Sequence, residues 1–380
     1  MQKFLINPHT HQKVEISPFS QEAIEFHHSL PGYAISPLHT LDKIAKSYGC
    51  NQIFVKDESN RLTLPAFKIL GASYATVKVL EQNFDLKYSG IENFKEKLRD
   101  IGDLRLITAT DGNHGRAVAH MANILDIASC IYVPKNTKLA RINAIKSEGA
   151  TVVIVDGNYD KAVEMAAAQK GVIIQDTGYP GYEDIPKYIV EGYSTMFWEI
   201  EHQILTRKFP YPDVIIAPIG VGSFISAVVQ FYKFTINEKP PIIIGVEPER
   251  APCAFEAIRK DEIIALEGPY ESVMAGLSCG KISTISFSIL KNGVDAFLLV
   301  SDEQALEAMK MLSIENIESG ESGAASFAGL QALFSEEGKN LRTHFNIDKQ
   351  SNILLFSTEG ATDPEMYNAV MNSKNLADLL

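Results

Sequence analysis

Residues 104–125, LRLITATDGNHGRAVAHMANIL, decide the fold. The opening LRLIT has the alternation and β-branching of a strand, 116–125 carries apolar residues at helical spacing, and a polar, glycine-rich turn joins them. A strand entering a helix through such a turn is half of a βαβ unit. Further strand-like runs stand at 52–56 (QIFVK), 129–133 (SCIYV), 151–155 (TVVIV), 172–175 (VIIQ), 214–218 (VIIAP), 242–246 (IIIGV) and 353–357 (ILLFS), with helical patterns such as 160–169 and 304–314 between them. The alternation predicts an α/β protein with mostly parallel sheets flanked by helices. The strands from 104 to 175 cluster apart from the later ones, which predicts two lobes with a cleft between them. The charged segment 88–103, YSGIENFKEKLRDIGD, reads as a solvated excursion. Ligands of open parallel sheets sit beyond the carboxyl ends of strands, so chemistry is sought in the loops that follow them.

The chain has 380 residues and a net charge of −12, a balance that argues against a nucleic-acid or anionic-membrane partner, since either demands a basic face. Small-molecule chemistry is the expectation. The first 20 residues hold no apolar core of signal-peptide length, and no stretch approaches the roughly 20 apolar residues of a membrane span. A cytoplasmic address is expected. Cys50, Cys130, Cys253 and Cys279 are far apart and lack histidines at ligand spacing, so no metal site is read from them. Cys253 and Cys279, the nearest pair, each stand in a Gly/Pro-rich region, where a redox link and two separate thiols both fit the sequence.

Four strand-end features carry candidate chemistry. After QIFVK and the polar Asp57-Glu58-Ser59-Asn60, the segment PAFKILGASYA begins a helix, with Pro65 at a first helical position and Lys68 in the first turn. There the helix dipole disfavours a cation, and Ala72 and Ala75 leave room beside it. An apolar setting of that kind frees a lysine amine for Schiff-base chemistry, although a surface lysine fits the string equally. The turn Thr108–Arg116 presents backbone N–H groups and an amide to a ligand, or serves as a helix cap with Asp111 or Asn113 in that role. The strand VIIAPI ends in Gly220-Val221-Gly222-Ser223, which suits a phosphate or a tight packing turn and does not match G-x-G-x-x-G. Last, ILLF leads into Ser357-Thr358-Glu359-Gly360, hydroxyls that can hold a heterocyclic nitrogen or form an ordinary turn.

Taken together and in this order, the four features resemble the fold-type II (tryptophan synthase β-like) pyridoxal-phosphate enzymes. Within that group KDES (56–59), AFKILGASYA (66–75), ATDGNHGRAVA (109–119), QDTGYPGYEDIP (175–186), GYSTM (192–196), VMAGLSCG (273–280), SGESGAASF (319–327) and FSTEGATD (356–363) are similar to the diaminopropionate ammonia-lyases. Dehydratases usually carry serine where this chain has Asp111, the sharpest of these clues. The resemblance implies a large cofactor-binding domain of residues 1–72 and 181–380 and a small domain of 73–180. It implies pyridoxal 5′-phosphate as cofactor, bonded to Lys68. Asn113 would meet the ring oxygen, Gly220, Val221, Gly222 and Ser223 the phosphate, and Ser357 or Thr358 the pyridine nitrogen. Lys68 would take the α-proton of L-2,3-diaminopropionate and Asp111 that of the D-isomer, the products being pyruvate and two ammonia. Ser319, Glu321 and Ser322 would shape the cofactor wall, Tyr182 and Glu183 would border the substrate, and His114 belongs to the turn. The same resemblance makes a Cys253–Cys279 disulfide at the cleft entrance an expectation to test, and implies a homodimer. A serine or threonine dehydratase, a β-replacement synthase, a non-catalytic carrier of the cofactor and a nucleotide-binding protein are the competing readings.

Overall fold

The computed structural model describes residues 3–10, 16–110, 112–157, 159–236 and 239–380. The chain divides into two compact units, one of 1–20, 35–60 and 196–380 and the other of 21–34 and 61–195.

The larger unit holds a seven-stranded sheet. Its strands are β1 (Phe4–Ile6), β2 (Leu38–Thr40), β3 (Gln52–Asp57), β8 (Val214–Pro218), β9 (Ile242–Pro248), β10 (Ala296–Val300) and β11 (Asn352–Ser357), in the order β1-β10-β9-β8-β11-β3-β2. All neighbours pair in parallel except the edges, where β1 runs antiparallel to β10 and β2 to β3. Helices cover both faces of the central strands, so β8, β10 and β11 are buried along their whole length and read as unbroken apolar runs. Because β3, β8, β9 and β11 are parallel, the loops after Asp57, Pro218, Pro248 and Ser357 leave from one edge of the sheet. That edge collects the third and fourth sequence features.

The smaller unit holds β4 (Arg105–Ala109), β5 (Ala128–Pro134), β6 (Thr151–Val155) and β7 (Val172–Ile173), all parallel in the order β6-β5-β4-β7. Here the loops after β4 and β7 share an edge, and they carry the turn 110–115 and the segment QDTGYP. Two expectations change. The stretch 88–103 is not a solvated excursion: it forms the helix Ile91–Arg99, which buries Phe94 and Leu98 completely or nearly so. Each such side chain contributes on the order of 2 kcal/mol of apolar burial, enough to tie the segment down. Pro65 is not at a first helical position, because that helix starts at Lys68 with Phe67 as its cap. Among the described residues no helix is long and apolar enough to cross a membrane, and no group of three or more His, Cys, Asp or Glu is placed to hold a metal ion.

Candidate active site

In the smaller unit, Lys68 is the first residue of the helix Lys68–Phe84, whose first turn contains no acidic side chain. Its compensation comes from another segment: Nζ donates to Oδ2 of Asp176 at 2.7 Å, with Asp176 in the loop that follows β7. The lysine side chain is 22% exposed and the aspartate 9%, so this is a largely desolvated pair. Burial alone would raise the Asp176 carboxyl, but the charges of Lys68 and His114 and the lysine hydrogen bond outweigh it and hold the group well below the usual carboxylate range. The expected apolar setting of Lys68 is thereby corrected: its amine is held in an ion pair. The Phe67 ring lies 6.0 Å from Nζ and packs on Tyr193 at 4.8 Å between centroids.

The turn before the helix Asn113–Ile124 builds the rest of this cluster. Gly112 occupies the cap position with no side-chain cap bond, which replaces the expectation that Asp111 or Asn113 caps the helix. Asp111 itself lies outside the described residues. Asn113 opens the helix half-buried. His114 is buried, its Nε2–H donates to the Ile174 carbonyl at 2.8 Å, and its Nδ1 stands 3.9 Å from Asp176 Oδ2. It thus joins the turn to the Asp176 loop and faces the carboxylate. A Cβ on Gly115 would come within 2.1 Å of Thr110 Cγ2, so only glycine lets the helix pack this close to the strand end. Tyr182 has its hydroxyl committed to the backbone, accepting from Gln175 N at 2.9 Å and donating to Ile173 O at 3.0 Å. That clamps the loop carrying Asp176 and leaves the Tyr182 ring, not its hydroxyl, for any substrate.

In the larger unit the loop between β8 and the helix Ser223–Val229 is held from outside. The Gly220 carbonyl accepts from Cys253 Sγ at 3.5 Å, and the Val221 carbonyl accepts from Ser283 N at 2.9 Å. Among the described residues, the N–H groups of Gly220, Val221 and Gly222 make no hydrogen bond. Gly222 has φ +98°, and a Cβ there would sit 2.7 Å from Ser286 Cβ. A loop whose carbonyls are tied back and whose amides stay uncommitted fits a phosphate. Ser223, buried, follows directly.

Beside it on the same sheet edge, Ser357 Oγ donates to Ser319 Oγ at 2.9 Å, both residues being fully buried. Thr358 Oγ1 makes no hydrogen bond among the described residues. The SGESG and STEG loops interlock: Glu359 accepts from Ser322 N through Oε1 at 3.2 Å and from Gly320 N through its carbonyl at 3.0 Å. Ser322 Oγ in turn accepts from Gly276 N at 3.0 Å, and Glu321 is buried in the same wall. Cys253 and Cys279 are both free thiols, and both lie against the Gly220 loop. Sequence reasoning missed Asp176 as a site residue. Its signal was present, an acidic residue directly after the strand-like run 172–175, but nothing local ties it to Lys68.

A family model described as pyridoxal-phosphate dependent enzyme matches residues 30–343. A mostly parallel seven-stranded sheet, a parallel four-stranded sheet, a lysine opening a helix and an amide-lined glycine loop therefore define a fold-type II enzyme of pyridoxal phosphate. Diaminopropionate ammonia-lyase of Salmonella typhimurium strain LT2 is 36% identical over 367 residues, 92% of this chain and 91% of the relative. The crystal structure of diaminopropionate ammonia lyase from Escherichia coli in complex with D-serine matches with a TM-score of 0.89 at 31% identity, covering 97% of this chain and 96% of that one. The same enzyme in complex with an aminoacrylate-PLP azomethine reaction intermediate matches at 0.87 and 33%, with the same coverage. The chain belongs to the diaminopropionate ammonia-lyase family of pyridoxal-phosphate dependent enzymes.

Proposed function

We propose that the chain catalyses α,β-elimination of D- and L-2,3-diaminopropionate, which with one water gives pyruvate and two ammonia. The observation that carries this reading is the desolvated Lys68–Asp176 pair in a chain that also presents the uncommitted amides of 220–222. Lys68 would hold the cofactor covalently and give up that bond to the incoming substrate amine, residues 220–223 would hold its phosphate, Asn113 would meet the ring oxygen, and Ser357 or Thr358 the ring nitrogen. When bound, pyridoxal phosphate supplies the electron sink for the carbanion left by α-deprotonation.

The protein's own groups move the protons. Lys68 Nζ takes the α-proton of the L-isomer, and Asp176, ionised at neutral pH, stabilises the ammonium so formed. Asp111 takes the α-proton of the D-isomer. The β-ammonium needs no further proton to leave as ammonia. Buried hydroxyls of Ser319 and Ser357 and the Glu321 wall keep that side dry, and the Tyr182 ring borders the substrate. The chain acts as a cytoplasmic homodimer, and sedimentation as a monomer would remove that part of the reading.

Product stoichiometry tests the reaction: about two ammonia per pyruvate is expected, and one per keto acid would contradict loss of the β-amine. Asp111→Asn should keep turnover of the L-isomer and lose most of that of the D-isomer. Equal losses would make Asp111 a substrate-positioning group.

A further inference from the structure

A trans peptide holds its C=O and the following N–H on opposite sides, so fixing a carbonyl aims the next amide. The Gly220 carbonyl is fixed by the Cys253 thiol at 3.5 Å, which turns the Val221 N–H the other way. Cys253 is the first residue of the helix Cys253–Lys260, and it is fully buried. Pro252 at the cap position makes no side-chain bond. The anchor is Glu247 on β9, one carboxylate oxygen accepting from Ala254 N at 2.8 Å and the other from Phe255 N at 2.7 Å.

We propose that Glu247 and Cys253 are positioning residues for the cofactor phosphate: Glu247 fixes the start of the helix, and the Cys253 thiol then aims the Val221 amide into the loop. This rests on the reading of 220–223 as the phosphate loop. The thiol is suited to donate, because burial, and after it the neighbouring Glu247 and Cys279, push its ionisation well above the ordinary range and keep it protonated. Burial also pushes the Glu247 carboxyl up to about 8, against the two backbone N–H donors. Both oxygens can accept those N–H groups in either protonation state.

The test uses the full chain stripped of cofactor and retitrated with pyridoxal phosphate, read by visible absorbance and by the 31P resonance of the bound phosphate. Cys253→Ala should weaken binding about fivefold, the equivalent of one modest hydrogen bond, and move the 31P signal toward that of free cofactor. Cys253→Ser, which restores a donor, should return both to within about twofold of the parent. Glu247→Gln, which turns an amide N–H₂ toward one of the helix N–H groups, should weaken binding about tenfold. Unchanged affinity and 31P shift in Cys253→Ala, with Gly222→Ala weakened, would overturn the positioning role while leaving the loop assignment intact. If Gly222→Ala also changes neither, the phosphate is held elsewhere and the proposal falls with the loop. Weakening in Cys253→Ser equal to that in Cys253→Ala would assign the effect to packing and overturn it as well.

Discussion

Lys68 is useful because its environment is divided against itself. The helix start disfavours its charge, while Asp176 at 2.7 Å favours it, so two opposing influences act on the proton of Nζ. Replacing Asp176 by Asn keeps the shape and removes the counter-charge. The expected outcome is a fall in kcat of about 100-fold or more with the L-isomer, whose α-proton Lys68 takes, the size typical of a lost acid–base partner, while the visible band of the lysine-bound cofactor persists. A kcat within about threefold of the parent would mean that Asp176 only helps the loop to fold. Lys68 was legible from sequence through its place at a helix start. Its partner was not, because the ion pair joins residues 108 positions apart, a pairing that no local pattern announces.

Elements differed in how plainly they announced themselves, and burial explains the difference. Strands β8 and β11, buried on both faces, stood out as apolar runs with their ends nearly correct. The edge strands β1 and β2 are three residues long and half-exposed, and Ala296–Val300, lacking β-branching until its last residue, merges in sequence with the helix Asp302–Ile314 that follows. The helix Ile91–Arg99 was hidden by its charge, because only Phe94 and Leu98 betray its buried face. The phosphate loop was visible as glycines, but not the reason for them. Gly222 combines φ +98° with a Cβ position 2.7 Å from Ser286, so Gly222→Ala pays both backbone strain and a clash. Roughly 1–3 kcal/mol of strain predicts a 5- to 150-fold weaker affinity of the stripped protein for pyridoxal phosphate. Titration by visible absorbance checks this, and an affinity within about twofold of the parent would mean the loop does not contact the cofactor.

At the scale of the whole molecule, a net charge of −12 coexists with a proposed anionic cofactor because local amides, not net charge, set the potential at the loop. The acidic balance therefore has no bearing on the small ligand. The central claim is the choice of substrate, and it is tested most directly by keto-acid release from D-2,3-diaminopropionate, L-2,3-diaminopropionate, serine and threonine by the holoenzyme, compared as kcat/KM. The prediction is that both diaminopropionate isomers exceed serine and threonine by at least about tenfold. Serine or threonine turned over as well as diaminopropionate, or better, would contradict it.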